Sequence, residues 1–417
     1  MKQPELSDCD NSRNKLLNLD DVLTHLLRQI TDPYKITHCS VHLNQALGKV
    51  LAADVVSNID VPPNDNSAVD GYALSVDEYS DKPMVISQRI PAGASTSSLT
   101  KTTTARIFTG APIPINADCV IMQEDAEEIE PGKSVVFSST PKQFQNVRPK
   151  GQDIQSGQTI LKKGQRLTPQ RLGLVASIGL EKVEVYQTLK VAIFSTGDEL
   201  VEPGSPVKEG QIYNSNRYML KGLLQSIGFD VLDFGVVPDN LNSTRDTLKL
   251  ACEQGDVVIT TGGASVGEED YVKDAIKSMG ELDLWRVAIK PGKPFMFGQI
   301  NKTPILGLPG NPGAVFVTFS ILARPFLLAY QGASDTKPRV YYSRLNFDIT
   351  KPGKRREFLR VKQDNDGKLS RHPNQSSGML SSASWADGFA VIMENTSPKK
   401  DDIVKFIPFS GLFSMSV

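Results

Sequence analysis

The first regular pattern in the chain is helical. Leu16, Leu19, Val22, Leu23, Leu26, Leu27 and Ile30 recur at three- and four-residue intervals until Pro33 interrupts them, which predicts an amphipathic helix behind a polar stretch, 1–15. A second helix is expected over about 42–52. Pro62, Pro63, Asn64, Asp65, Asn66 and Gly71 then crowd into a tight polar loop. From 75 to 150 the helical period gives way to short β-rich runs (MVISQRI, ARIFTG, DCVIMQED, SVVFSS) broken by Gly, Pro, Ser and Thr, as in a small β domain inserted between helical pieces. Gly-Gln dipeptides at 151, 157 and 164 read as turns between strands. Thr168 followed by Pro169 starts a short helix that runs to Gly179.

From residue 189 the rhythm becomes strand, loop, helix. LKVAIFS, FDVLDFGVV and DVVITT are apolar strand-length runs, each followed by a loop and a helical pattern, and the helix after the first is capped at Asn214 or Ser215. LWRVAI, PFMFGQI and PILGLP follow, then the long apolar helix AVFVTFSILARPFLLAY. Serial βα units with strands apolar on both faces imply a parallel, doubly wound sheet over 189–331. Beyond Gly332, RVYYSRL, EFLRVKQ, AVIMEN and DIVKFIPF alternate with turns, so residues from 337 onward read as a compact all-β domain.

The 417 residues allow two to three domains of roughly 150 residues each. Lys and Arg number 46 against 47 Asp and Glu, a net charge of -1, which removes the basic bias of a nucleic-acid coat. Within 337–371, however, eleven Lys and Arg face four Asp and Glu, an excess of +7 that reads either as a solvated face or as the anion-facing wall of a cleft. Cys9, Cys39, Cys119 and Cys252 lie far apart, and none of His25, His38, His42 and His372 clusters with them, so zinc-ribbon and disulfide-scaffold readings lack support. The N-terminal residues carry no apolar core of signal-peptide length and no run of about 18 apolar residues occurs, so a soluble, cytoplasmic protein without membrane or nucleic-acid partners is expected.

In an open parallel sheet, ligands bind beyond the carboxyl ends of the strands. Gly262 and Gly263 follow one strand and precede a helix, where bare backbone N–H groups can approach phosphate oxygens; a tight βα turn needs the same residues, and the spacing matches neither GxGxxG nor GxxxxGK[ST]. Glu268, Glu269 and Asp270 continue that loop, Asp198 and Glu199 follow the first strand, and Asp239 follows the second. Each carboxylate alone suits a helix N-terminus. Gathered beside a phosphate-cradling turn, the set suits Mg2+, which takes a few hard oxygens plus phosphate and water. Lys290 and Lys293 flank Pro291-Gly292, and GLPGNPG (307–313) makes another rigid strand-to-helix turn, so the pair is either a stiff turn or a seat for a small oxyanion or a polyphosphate.

Six stretches now stand together: NDNSAVDGYAL (64–74), RIFTGAPIPINADCVIMQED (106–125), STGDEL (195–200), TGGASVGEEDYVK (261–273), IKPGKPFMFG (289–298) and GLPGNPG (307–313). In order and spacing they resemble the motifs of the molybdopterin molybdenumtransferase (MoeA) family, whose animal relative is the E domain of gephyrin, over residues 16 to 417. The resemblance implies a fold of α/β plus β class: a doubly wound, mostly parallel sheet of the molybdopterin-binding type with an inserted β-rich domain, a small connector domain and a C-terminal β-barrel-like domain. The expected boundaries are 16–37 and 189–336 for the α/β domain, 38–60 and 151–188 for the connector, 61–150 for the insertion and 337–417 for the C-terminal domain. It also implies a homodimeric transferase that takes adenylylated molybdopterin and molybdate, splits the phosphoanhydride with Mg2+ and releases AMP. Molybdopterin adenylyltransferase and molybdoenzymes are implied as partners.

Carried over residue by residue, Asp70 and Glu199 resemble the family's essential acidic residues, with Thr109 and Asp153 at further catalytic positions. Asp270 and Asp239 resemble its metal-binding carboxylates. Gly262, Gly263, Ser265, Lys290, Lys293, Pro309, Pro312, Arg360 and Ser377 match substrate-binding positions. Asn64 and Val69 depart from the family's DNSAMDGYA loop, which usually has an aromatic residue at the first of these positions and Met at the second, and Gly313-Ala314 replaces its usual Val-Ser, removing a hydroxyl near the oxyanion turn. Two rivals remain at this stage. One is adenylyl transfer to molybdopterin, which uses a similar α/β domain, and the other is a scaffold of gephyrin type.

Overall fold

The computed structural model describes residues 16–30, 37–95, 97–263 and 271–413. The described residues divide into two compact units, one drawn from 1–53, 163–169 and 184–417 and the other from 54–162 and 170–183. Residues expected to form a connector, 38–60 and 151–188, are shared between the two.

The first helix, α1 (Leu19–Arg28), starts where Asn18 accepts the backbone N–H of Asp20 at 2.8 Å, with Asp20 and Asp21 in its first turn and Arg28 in its last, the charge order that suits the helix dipole. Leu19, Val22 and Leu26 form its buried stripe. The second expected helix does not form: Leu43–Gln45 makes one 3-10 turn, Gly48 takes φ 76°, and Val50 and Leu51 bridge to Arg166 and Val185. Burial of Val50 and Leu51, both 0 % exposed, through β-bridges outweighs a marginal helical period interrupted by glycine.

The second unit is built on a six-stranded sheet from β1 (Gly71–Leu74), β2 (Met84–Ile90), β3 (Thr103–Ile107), β4 (Cys119–Met122), β5 (Ala126–Glu130) and β6 (Ser134–Phe137). The strand order is β4-β1-β3-β2-β6-β5. Strand β1 lies inside the sheet, next to edge strand β4, and is buried along its length, and Gly71 lies against the Ile121 backbone so closely that a Cβ would collide with that carbonyl. The helix expected after Thr168 is α2 (Pro169–Ser177), with proline at its first position.

The larger unit carries β7 (Lys190–Thr196), α3 (Ser215–Ser226), β8 (Asp230–Val237), α4 (Leu241–Gln254), β9 (Val257–Thr261), α5 (Tyr271–Met279), β10 (Glu281–Arg286), β11 (Ile289–Lys290), β12 (Pro294–Ile300) and β13 (Thr303–Leu308). Its sheet runs β8-β7-β9-β13-β12-β10. The first four strands are parallel, as the βα rhythm requires, whereas β12 pairs antiparallel with both of its neighbours, β13 and β10. The cause is local: only Asn301 and Lys302, both at positive φ (47° and 72°), separate β12 from β13, and a two-residue turn permits a hairpin but no crossover.

The apolar segment that follows is one continuous helical stretch, α6 (Pro312–Thr318), a π-helical segment at Phe319–Ala323 and α7 (Arg324–Tyr330). Pro325 supplies no backbone donor, and the Thr318 and Ser320 hydroxyls donate back to the Ala314 and Phe316 carbonyls at 2.8 and 2.6 Å, so the regular ladder loosens here. The stretch has the length and composition of a membrane span but is buried within the protein. The last sheet contains β11, β14 (Tyr341–Arg344), β15 (Arg356–Gln363), β16 (Leu369–Arg371), β17 (Gly388–Ile392) and β18 (Ile403–Pro408), with α8 (Leu380–Trp385) packed on β15. Its order is β11-β15-β17-β18-β14, with β16 on β15.

Gly71→Ala is expected to destabilise the second unit by about 1 to 3 kcal/mol, the usual cost of overpacking against backbone that cannot yield. Thermal unfolding measures it, and a melting temperature equal to that of the unmodified chain would mean that β4 moves aside without cost.

Candidate active site

Asp70 precedes β1 and Thr109 follows β3, and the antiparallel register Gly71 to Ile107 brings them to the same sheet end. Thr109 donates twice to Asp70 Oδ1, from its backbone N–H at 2.8 Å and its hydroxyl at 2.7 Å. These two bonds, the backbone one first, hold the carboxyl below its ordinary range, and the Arg106 charge adds to them. Arg106 itself donates to the Gly71 carbonyl at 2.9 Å and to Gln123 Oε1 at 2.7 Å, tying the strand of Thr109 to that of Asp70. Asp153 is exposed in the same unit, its backbone N–H bonded to the Val61 carbonyl at 2.9 Å. Of the two departures in this loop, Asn64 is exposed and Val69 packs against the insertion's apolar core.

In the larger unit the four parallel strands end level, with Thr196 opposite Val237, Ser195 opposite Thr261, and Thr261 opposite Leu308. Asp198 Oδ1 accepts the Asp239 backbone N–H at 3.2 Å, so two of the three expected acidic loops meet. Glu199 is exposed and folds its carboxylate over Gly197, whose φ of 143° excludes a side chain. Gly262 has φ 89°, and a Cβ there would lie 2.8 Å from the Thr196 carbonyl; Gly263 has φ 66°. Beneath these loops the Ser195 and Thr261 hydroxyls bond at 2.9 Å, and buried Asn214 caps α3 by accepting the Arg217 N–H at 3.3 Å. Ser265 and Asp270, with Glu268 and Glu269, lie outside the described residues.

Lys290 and Lys293 come from the turn around Pro291, which follows a cis peptide bond. Lys290 Nζ pairs with Glu357 Oε1 at 2.9 Å, whereas Lys293, half-buried, has no ion pair among the described residues. Gly292 at φ 110° presses this turn onto α6: a Cβ would lie 2.5 Å from Thr318 Cγ2 and 3.5 Å from the Ala314 carbonyl. Pro309 is buried and Pro312 opens α6, while Asn216 donates to the intervening Gly310 carbonyl at 2.6 Å. Asn311 Nδ2 donates to Ser377 Oγ at 3.2 Å, bringing a C-terminal loop to the same turn.

Arg360, 1 % exposed, lies behind that loop rather than on its surface, donating to Ser382 Oγ and the Ser376 carbonyl, each at 3.0 Å. Burial pushes its guanidinium down to about 10, so it is still charged at neutral pH. Two more of the eleven cations in 337–371 are held by carboxylates. Arg356 pairs with Asp20 at 2.8 Å and with Glu394 at 3.3 Å, and Lys368 pairs with Asp401 at 2.8 Å.

The comparisons with known proteins agree with one another. Residues 17–179 match the model of the MoeA N-terminal region (domain I and II), 192–329 that of a probable molybdopterin binding domain, and 342–409 that of the MoeA C-terminal region (domain IV). The chain is 38% identical over 348 residues to a molybdopterin molybdenumtransferase of Haemophilus influenzae, covering 83% of this chain and 85% of that protein. It belongs to the molybdopterin molybdenumtransferase family. A similarly named protein of Nostoc is 36% identical over 331 residues, 76% of each chain. Among solved structures, the molybdopterin biosynthesis MoeA protein of Pyrococcus horikoshii superposes with a TM-score of 0.77 at 33% identity, covering 95% of this chain and all of that one. The fold is therefore of MoeA type, with several domains and mixed sheets.

Sequence reading passed over Arg106, Asn216 and Glu357. Arg106 and Glu357 stand inside quoted motifs or beside them, but only strand pairing, Tyr72 with Arg106 and Lys290 with Glu357, shows what they face. Thr109→Val should raise the Asp70 pKa part-way toward its ordinary value, because the backbone N–H remains. The folded pKa lies below the unfolded one, so this pair stabilises the fold above the unfolded pKa and loses that contribution as acid protonates the folded carboxyl. A carboxyl carbon NMR titration reads the midpoint directly, and an unmoved midpoint would show that the hydroxyl contributes nothing.

Proposed function

We propose that this chain inserts molybdenum into adenylylated molybdopterin, taking molybdate as second substrate, splitting the phosphoanhydride and releasing AMP. Its place in molybdenum cofactor biosynthesis, as a transferase, is that of its family. The observation that carries the finer reading is that the Lys290–Lys293 turn, the 309–313 turn and the Ser377 loop all pack on α6 or its approach, in the same unit as the acidic carboxyl edge of the parallel strands. An oxyanion and a phosphoanhydride both need fixed donors and positive charge beside loops that admit phosphate closely. Lys293, whose charge is uncommitted among the described residues, is the stronger oxyanion ligand, whereas Lys290 must be shared with Glu357. Asp70, whose carboxyl Thr109 holds below its ordinary range, stands as a carboxylate hydrogen-bond acceptor at neutral pH.

The resemblance implies Mg2+, and the chemistry of the donor set fits it. Asp198 and Asp239 offer hard carboxylate oxygens on an accessible loop edge, although no group of three ligating side chains occurs among the described residues. Asp239 would hold the ion with Asp270, and the ion would supply charge neutralisation at the phosphoanhydride. The protein is read as a cytoplasmic homodimer, supplied by a molybdopterin adenylyltransferase and serving molybdoenzymes.

Purified protein is expected to release AMP from adenylylated molybdopterin only when molybdate and Mg2+ are both present; release without molybdate would overturn the reading. Lys293→Ala should raise the half-saturating molybdate concentration by about 10- to 150-fold, the loss of one desolvated charge-assisted contact, with less effect on the pterin substrate. Lys290→Ala should cost less. For the dimer, Asp70→Ala and Glu199→Ala should each be inactive, yet reassembled mixtures should recover roughly a quarter of wild-type activity if each cleft takes Asp70 from one chain and Glu199 from its partner. Mixed dimers with no activity would sink the shared cleft.

A further inference from the structure

We propose that Gly313 is a positioning residue that seats Ser377 as the hydroxyl donor of the oxyanion site. The inference rests on the molybdate reading above, in which Ser377 already takes part, and assigns the step that brings it there.

Glycine at 313 has no conformational reason to be present. It lies in α6 at an ordinary negative φ, in a helix where alanine is intrinsically favoured. What it permits is a close approach. Its backbone N–H donates to the Ser377 carbonyl at 2.8 Å, and an added Cβ would lie 2.8 Å from that same oxygen and 3.4 Å from its carbon. Both contacts are backbone, so a side chain at 313 forces the whole 376–378 segment to shift.

That segment cannot shift freely on its other side. The Arg360 guanidinium holds the Ser376 carbonyl at 3.0 Å, and the Arg360 backbone exchanges hydrogen bonds with the Gln375 side chain at 3.0 and 2.9 Å. Residues 375 to 377 are thus fixed between the buried middle of β15 and the start of α6.

The chemistry follows from the hydroxyl's one protein contact. Ser377 Oγ accepts from Asn311 Nδ2 at 3.2 Å and donates to no protein acceptor among the described residues, so its own proton is available. The Lys290–Lys293 turn packs on the same helix through Gly292, whose added Cβ would lie 2.5 Å from Thr318 Cγ2 at the end of α6 and 3.5 Å from the carbonyl of Ala314, the residue after Gly313. Ala314 brings no hydroxyl to this place, and Gly313 brings one from the C-terminal loop instead.

The test is a double-mutant cycle on the full-length protein: wild type, Gly313→Ala, Ser377→Ala and the double variant, each assayed against molybdate with the pterin saturating and then the reverse. Gly313→Ala should raise half-saturating molybdate roughly 2- to 10-fold, the range for one lost neutral hydrogen bond, while the pterin value and the rate at saturation stay close to wild type. Gly313→Ala in the Ser377→Ala background should add nothing further. Isothermal titration of molybdate alone should show the same order of affinities. Losses that multiply in the double variant, or an unchanged molybdate response in Gly313→Ala, would overturn the proposal. Should Gly313→Ala not fold, Asn311→Ala, which removes the other tether without crowding, takes its place in the same cycle with the same criterion. A wild-type protein with no molybdate-dependent turnover would instead fail the underlying reading, and the positioning role would fall with it.

Discussion

The constraint on which the larger unit depends is the burial of the helical stretch 312–330. Phe316 meets Phe389, Phe409 and Phe413 with ring centroids 4.9 to 5.6 Å apart, and Phe326 packs edge-on to Phe297 at 5.7 Å. Phe297 belongs to the α/β sheet and Phe389 to the C-terminal sheet, and one continuous apolar cluster joins both to α1. A buried aromatic contributes through area and shape together, so the two sheets cannot slide past each other without opening a cavity. Because the helix begins at Pro312, its placement also fixes the turn at 309–313, the Gly292 turn against it and the loop that carries Ser377.

Charge is placed on that frame with restraint. Three cations of the C-terminal segment are engaged inside the fold: Arg356 is neutralised by Asp20 and Glu394, Lys368 by Asp401, and Arg360 is enclosed. Lys293 stands out as a lysine beside the turn without such a partner among the described residues, and a small anion competes best for a cation that no carboxylate already holds. In the second unit the logic is reversed. Asp70 is kept negative by two hydrogen bonds from one threonine, with Arg106 spending two of its donors on strand ties close by.

Much of this was legible in the chain. The 3.6-residue stripe of α1, the βα rhythm after 189, the insertion of short strands and the six ordered motifs all depend on local sequence, because hydrophobic period and turn residues act over a few positions. The antiparallel edge was legible in principle from Asn301-Lys302, whose short turn forbids a crossover. Residues 42–52 were misread because a helical period says nothing about a distant strand; Val50 and Leu51 chose Arg166 and Val185 over their own neighbours.

The candidate site divides in the same way. Sequence alone named the carboxylates, glycines and lysines, since each stands in a motif at a strand end, where chain direction already places it at the ligand-binding edge. Only the tertiary structure decided which of them are free to act. It engaged Lys290 with Glu357 and enclosed Arg360 behind the loop it holds. It also set Gly313 against Ser377, 64 residues later in the chain. Pairing partners, burial and close backbone approach are properties of contacts between distant segments, and packing fixes them only once the core has closed.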